Sequence, residues 1–191
     1  MSEKSTAQEI LECAKGLIMK GGYNGFSYAD ISKAVGIRNA SIHHHFPSKA
    51  DLVKVLVANY REGAEKGLAG LELQSKGPMD LLRAYVAIWE KCITDGSHPM
   101  CVCALLAGEI PALPSEVAAE VRAYFRFLSS WLTSVIGKAA AEGEAKFKGS
   151  AKQEAEGFMA TIHGAMMSAR AFGDTKAFGR VAQPLITRLV K

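Results

Sequence analysis

The chain has 191 residues, of which 49% are apolar and 22% charged, and it carries a formal net charge of +4. This length and balance suit one or two domains with a substantial core and exclude a low-complexity chain. The mild positive charge permits a nucleic-acid partner without demanding one.

The polar start MSEKSTAQEI reads as no secretory leader, and no apolar run approaches the ~18 residues that span a bilayer. The expected location is cytoplasmic, with no membrane partner. Cys13, Cys92, Cys101 and Cys103 are then expected as reduced thiols rather than disulfides.

A first helix is predicted over residues 6–20. Ile10, Leu11, Ala14, Leu17 and Ile18 form its apolar stripe, and Gly21-Gly22 ends it. Residues 26–52, FSYADISKAVGIRNASIHHHFPSKADL, say more than the rest of the chain. Ser27 is a good N-cap, with Asp30 three residues on to help satisfy the first turn. Ile31, Ala34 and Val35 share one face at helical spacing. Gly36 ends this helix, and Ile37 fills the turn. Asn39 caps a second short helix running through Ile42 to Phe46. Pro47 stops it, because the residue before a proline is pushed out of the helical region. Ser48 caps a third helix that opens Lys49-Ala50-Asp51-Leu52. Helix, glycine turn, helix is the organisation of a helix-turn-helix, whose second helix lies in the DNA major groove.

At these residues the chain resembles the TetR family of transcriptional regulators. The matching residues are Gly25-Phe26-Ser27, Asp30-Ile31, Ala34-Val35-Gly36-Ile37, Ser41-Ile42, His44, Phe46-Pro47-Ser48-Lys49 and Leu52, in order and without gaps. Three positions depart from the common pattern. Ala29 stands where many members have arginine, Asn39 where lysine is frequent, and His43 where tyrosine is usual.

A recognition helix sets its N-terminal residues on base edges, which singles out Arg38, Asn39, Ala40, Ser41, His43 and His44. Arg38 can bind guanine through two hydrogen bonds. Asn39 can pair with adenine or serve only as a cap, and Ala40 allows close approach to a thymine methyl. Ser27, Tyr28, His44 and Lys49 are candidate phosphate contacts that set register. Residues 1–50 hold six lysines and arginines against four acidic residues. Helix N-termini and two copies in a dimer would therefore supply much of the attraction to DNA. His43, His44 and His45 do not read as a metal site, because consecutive helical residues lie ~100° apart. As neutral rings they contribute hydrogen bonds more than charge.

The helix opened by Ser48 carries Leu52, Val53, Leu56 and Tyr60 and is expected to loosen through Gly63, Gly67 and Gly70. Gly77-Pro78 opens the next helix, which bears Leu81, Leu82, Tyr85, Ile88, Trp89 and Cys92 and ends at Asp95-Gly96. His98-Pro99 breaks the chain. A short apolar helix is predicted over 100–109, and Pro111 and Pro114 stiffen the connection after it. Ser115 and Glu116 start a long helix to Gly137, with apolar residues from Val117 to Ile136 at helical spacing. Residues 142–149 read as an exposed loop. A further helix over 151–172 closes at Gly173-Asp174, and a last one carries Phe178, Val181, Leu185, Ile186 and Leu189, with Pro184 as a kink. The pattern is all-α, about nine helices and no convincing strand.

Residues 98–109, HPMCVCALLAGE, resemble one branch of the family in which a cysteine-rich segment opens the sixth helix. Cys101 and Cys103 admit three readings: buried packing residues, a thiolate sensor, or part of a soft-metal site with His98 and Cys92. Trp89, Cys92, Tyr124, Phe127, Trp131, Met159, His163 and Met166 join the two thiols as candidates to line an effector pocket, against the reading of ordinary core. In the segment 157–169 small and large apolar residues fall on more than one face, which a dimer interface would explain.

The resemblance implies an N-terminal three-helix helix-turn-helix domain over 1–50. It implies a C-terminal helical effector-binding and dimerisation domain over 51–191. The expected partners are a double-stranded DNA operator, a small-molecule effector and a second copy joined through the last two helices. The function expected is a repressor released from a near-palindromic operator by a small apolar or reactive effector, with cysteine modification as the alternative trigger. No phosphate loop, Gly-x-Ser-x-Gly elbow or His-Glu-x-x-His appears, so no catalytic residue, metal or cofactor is expected. A helical adaptor without DNA binding is the rival from another class.

Overall fold

A computed structural model describes residues 5–190 as helices α1 (Thr6–Gly21), α2 (Tyr28–Val35), α3 (Asn39–His45), α4 (Lys49–Gln74), α5 (Pro78–Thr94), α6 (Val102–Ala107), α7 (Ser115–Ala141), α8 (Ala151–Phe172) and α9 (Lys176–Val190). A 3-10 turn, Ile110–Ala112, follows α6, and no strand occurs among the described residues.

Four helix starts use the same serine device. Ser5 and Gln8 close α1, and Ser150 and Gln153 close α8, as reciprocal capping boxes. At α2 the Asp30 carboxylate accepts from both the backbone N–H and the hydroxyl of Ser27, each at 2.7 Å. At α4 Asp51 accepts from Ser48 in the same way, and the Asp51 N–H donates back to Ser48 Oγ at 3.1 Å. Each box satisfies amides that the first turn leaves without partners. Gly77-Pro78 opens α5 with proline in the first turn, as expected.

The described chain gathers into two units. The first comprises residues up to Gly63 together with Val102–Tyr124; the second comprises Ala64–Cys101 and the chain from Phe125 onward. In the first, α1, α2 and α3 pack on one another and α6 packs on α1. Ile10, Ala14, Ile18, Ile31, Ile42 and Leu52 are fully buried there. The Glu109 carboxylate, just past α6, accepts the Tyr23 N–H with both oxygens, at 3.0 and 3.2 Å. Gly22 makes room for that carboxylate. In the second unit α8 and α9 pack along each other and α5 lies against α9. Leu82, Leu128, Leu132, Ile162, Met166 and Phe178 form its centre.

Several sequence expectations need correction. Asn39 is the first residue of α3, and Arg38 is its extended cap residue, without a side-chain cap bond. Ala34 is exposed and Val35 half-buried, so Ile31 alone is the buried residue of α2. Helix α4 does not loosen at Gly63, Gly67 or Gly70 but runs unbroken to Gln74. Each glycine costs a helix only ~1 kcal/mol, which packing of residues such as the buried Leu68 can offset. Helix α6 is shorter than expected and α7 runs past Gly137. On α5 Ile88 is exposed, while Met79, Val86 and Ile93 are buried. Leu11 and Leu17 of α1 are only half-buried, and Val181 of α9 is exposed.

Gly22 and Gly36 both have positive φ, 74° and 77°. At Gly36, left-handed with ψ 28°, an alanine costs ~1–2 kcal/mol, whereas Gly22, with ψ −169°, lies in a region open essentially to glycine alone. Only at Gly22 would the new Cβ also strike the Glu109 carboxylate; at Gly36 it meets open space. Gly22→Ala should therefore lower stability to urea by more than Gly36→Ala. Equal losses would contradict both the tighter backbone region of Gly22 and the clash with Glu109.

Candidate nucleic-acid interface and effector region

The turn between α2 and α3 is fixed by local bonds. Gly36 adopts the left-handed conformation and its N–H donates to Ser32 O at 2.9 Å. The Ile37 N–H donates to the same carbonyl, and Ser32 Oγ returns a 2.6 Å bond to Ile37 O. Chain exit from this turn presents Arg38, Asn39, Ala40, His43, His44 and His45 to the exterior, with Ser41 half-buried. Ile42 points the other way and is fully buried, anchoring the helix to the core. At its end Phe46 is extended, as a residue before proline should be.

Four of the expected DNA-contacting side chains are held by the protein itself. Ser27 is exposed but bonded to Asp30. Tyr28 Oη donates to Phe46 O at 2.9 Å, across the helix-turn-helix. Burial, reinforced by the charge of Asp51, pushes the Tyr28 phenol up to about 12. Lys49 Nζ donates to Phe26 O and lies 4.2 Å from the Phe26 ring centroid and 4.8 Å from that of Tyr23. Burial lowers its ammonium group from the ordinary lysine range, with Asp30 and Glu109 acting in the opposite direction. His43 packs edge-on to Tyr28, ring centroids 4.8 Å apart, and its Nδ1 lies 3.1 Å from Pro47 O.

The effector candidates divide between the units. Cys103 and Tyr124 belong to the first; Trp89, Cys92, Cys101, Phe127, Trp131, Met159, His163 and Met166 belong to the second. In the second unit Tyr85 is the centre of an aromatic group, 5.6 Å from Trp131 and 6.4 Å from Phe158. Burial drives its phenol well above the usual tyrosine range, with the Trp89 side chain acting in the opposite direction. Trp131 Nε1 donates to Glu72 Oε1 at 2.7 Å. His163 is buried against Phe125, ring centroids 5.2 Å apart, and its Nε2 has no hydrogen-bond partner. Cys101 and Cys103 are fully buried, whereas Cys92 is half-buried. An open cleft of about 300 Å³ lies elsewhere, lined by Lys146, Phe147, Phe158, Thr161, Arg188 and Leu189 among others.

The chain matches two family patterns: "Bacterial regulatory proteins, tetR family" over residues 10–56, and "Tetracyclin repressor-like, C-terminal domain" over residues 78–185. The chain belongs to the TetR family. A TetR-family transcriptional regulator from Agrobacterium tumefaciens is 58% identical, with 97% of each chain covered and a TM-score of 0.95. A TetR transcriptional regulator from Legionella pneumophila is 26% identical, covering 99% of this chain and 100% of its own, with a TM-score of 0.86. The reduced form of E. coli NemR shares the fold at 16% identity, with 97% of each chain covered and a TM-score of 0.84. No curated protein matches the chain.

This TetR-family member is therefore a transcriptional regulator with a helix-turn-helix DNA-binding domain and a ligand-binding C-terminal domain. No helix among the described residues is long and apolar enough to cross a membrane. Sequence reasoning gave Tyr85 to the buried face of α5 without seeing it as an aromatic hub, although its spacing of four from Trp89 places the two on one face. It missed Glu109 as the partner of Tyr23, because the two lie 86 residues apart.

Tyr28 makes a pH-dependent contribution to stability. Its proton is held more tightly in the folded chain than in the unfolded one. That contribution is complete below the ordinary phenol range of ~10 and is lost as pH rises toward about 12. Tyr28→Phe should lower stability by ~1 kcal/mol at neutral pH through the lost hydrogen bond. It should also make stability fall less steeply at alkaline pH, read by urea melts from neutral to alkaline buffer. An unchanged alkaline slope would contradict the assignment.

Proposed function

We propose that this regulator is a homodimeric repressor whose α3 helices enter the major groove at two half-sites of a near-palindromic operator. The observation that carries this is the outward face of α3: Arg38, Asn39, Ala40, His43 and His44 stand exposed over a buried Ile42. Arg38, at the helix start, reads guanine; Asn39 reads adenine; Ala40 permits close approach; Ser41 contacts the backbone or a base edge. Ser27 and His44 set register on phosphates. Tyr28 acts chiefly by holding the end of α3 in place, since its one donor is engaged within the protein, whereas Lys49 ties the start of α4 to Phe26 with one of its three donors and keeps the others for phosphate.

The dimer forms through α8 and α9. Gly157, Ala160, Gly164, Met167 and Ala171 recur along α8 on one exposed stripe, and Val181 and Pro184 are exposed on α9. Small residues let two helix pairs approach closely, and Met167 at 60% exposure is a large apolar side chain in want of cover. The effector is small and mostly apolar and binds within the second unit, where Trp89, Phe127, Trp131, Met159 and Met166 supply soft surface and the unpartnered His163 nitrogen supplies one polar anchor. A thiol switch is the weaker reading, because Cys101 and Cys103 are fully buried and reaction requires an accessible thiolate. Effector binding releases DNA by favouring a state in which the two reading heads no longer match the half-site spacing. As a DNA-bound regulator the protein works in the cytoplasm.

Arg38→Ala should weaken binding to a selected operator by ~1–3 kcal/mol, roughly 5- to 150-fold, and relax base preference at one position per half-site. His44→Ala should weaken binding more uniformly across sequences. Both variants should remain dimers by sedimentation. Unchanged affinity in both, measured by fluorescence anisotropy, would show that α3 is not the reading helix.

A further inference from the structure

We infer that His43 is a proton-switched DNA contact, presenting a hydrogen-bond acceptor when neutral and a donor when protonated. The inference rests on the reading of α3 as the groove helix. The Nδ1 atom lies 3.1 Å from Pro47 O, and a carbonyl oxygen can only accept. Nδ1 therefore carries hydrogen in both protonation states, and Nε2 is the atom that changes. The ring is exposed and its orientation is set from two sides, by Pro47 and by the edge contact with Tyr28. Tyr28 is itself held by Phe46 O.

Neutral Nε2 offers a lone pair, which suits the amino groups of adenine or cytosine and is repelled by phosphate oxygen or guanine O6 and N7. Protonated Nε2 reverses both preferences. It then offers a charge-assisted donor to an acceptor on DNA, with the Pro47 bond kept. The charged or titratable groups of α1 to α3, and of α4 up to Gly63, belong to the same unit as His43. Tyr28 of α2 keeps its phenol neutral through the range where imidazoles titrate. Asp51, in the first turn of α4, is bonded to Ser48. His44 and His45 share α3 and lie edge to edge, ring centroids 5.5 Å apart. On α1, Cys13 feels the charges of Asp30 on α2 and of Lys20 on its own helix.

DNA acceptors favour the protonated ring, so binding draws in protons and affinity rises as pH falls. DNA itself has no group that titrates between about pH 6 and 8, the window imidazoles occupy. The test begins with operators selected from a random duplex pool at both ends of that window. Anisotropy then compares wild type, the His44→Gln/His45→Gln double variant and the triple variant that adds His43→Gln. Glutamine keeps a donor and an acceptor but takes up no proton. Wild type should bind several-fold more tightly at the acidic end, up to roughly tenfold per protomer if DNA raises the ring's proton affinity by one pH unit. The double variant should lose the share that His44 contributes on phosphate and keep the share of His43, and adding His43→Gln to it should flatten what remains. A gain shared by all sequences with a steeper salt dependence identifies phosphate as the partner; a gain confined to guanine-bearing sites identifies the base. A flat wild-type profile, or a slope in the double variant that survives the addition of His43→Gln with circular dichroism unchanged, overturns the inference. Failure to select any site at either pH overturns the groove-helix reading, and this inference with it.

Discussion

A helix of seven residues has little stability of its own in water, and recognition by this protein is proposed to rest on one. Helix α3 exists because its surroundings impose it. Ile42 is fully buried in the first unit, Ser32 pins the preceding turn, and Pro47 stops the helix where Ser48 begins the next. Tyr28 closes the arrangement by bonding the carbonyl of Phe46, so α2 grips the end of α3 as well as its start. Such a helix is rigid without being strongly helix-forming. Its outer positions are thereby free to carry arginine, asparagine and histidines, the residues proposed above to meet DNA, whatever their helix propensity.

The same unit takes in a stretch of chain from far along the sequence. Val102–Tyr124 packs there, while the residues before and after it belong to the second unit. Glu109 fastens this stretch to the end of α1 by accepting the Tyr23 amide, an amide that the finished helix leaves without an intrahelical partner. Lys49, at the start of α4, feels the same carboxylate. The chain passes from one unit to the other at both ends of Val102–Tyr124.

What was legible in the sequence followed the range of the interactions. Ser27, Gly36, Pro47, Ser48 and Gly173 act on neighbours within a few residues, and each does what its chemistry suggested. The cap of α3 shifted by one residue, to Arg38, because an extended backbone and not a side-chain bond begins that helix. The glycines of α4 misled because propensity is a weak bias that packing overrides. The effector region was the least legible. Residues that share a soft, apolar character fell into different units, Cys103 and Tyr124 apart from His163 and Trp131, since nothing local encodes which distant segments meet. The isolation of His163 Nε2 and the hub formed by Tyr85 arise from tertiary packing and have no signature in spacing alone.

The central claim is that two copies of α3 read the major groove. Methylation interference on a selected operator tests it most directly, because methyl groups on guanine N7 project into that groove. The account expects interference at guanines in two symmetric half-sites about one helical turn apart, or a small multiple of it, with one bound dimer or pair of dimers. Interference confined to the minor groove, or a single unpaired half-site bound by one chain, would contradict it.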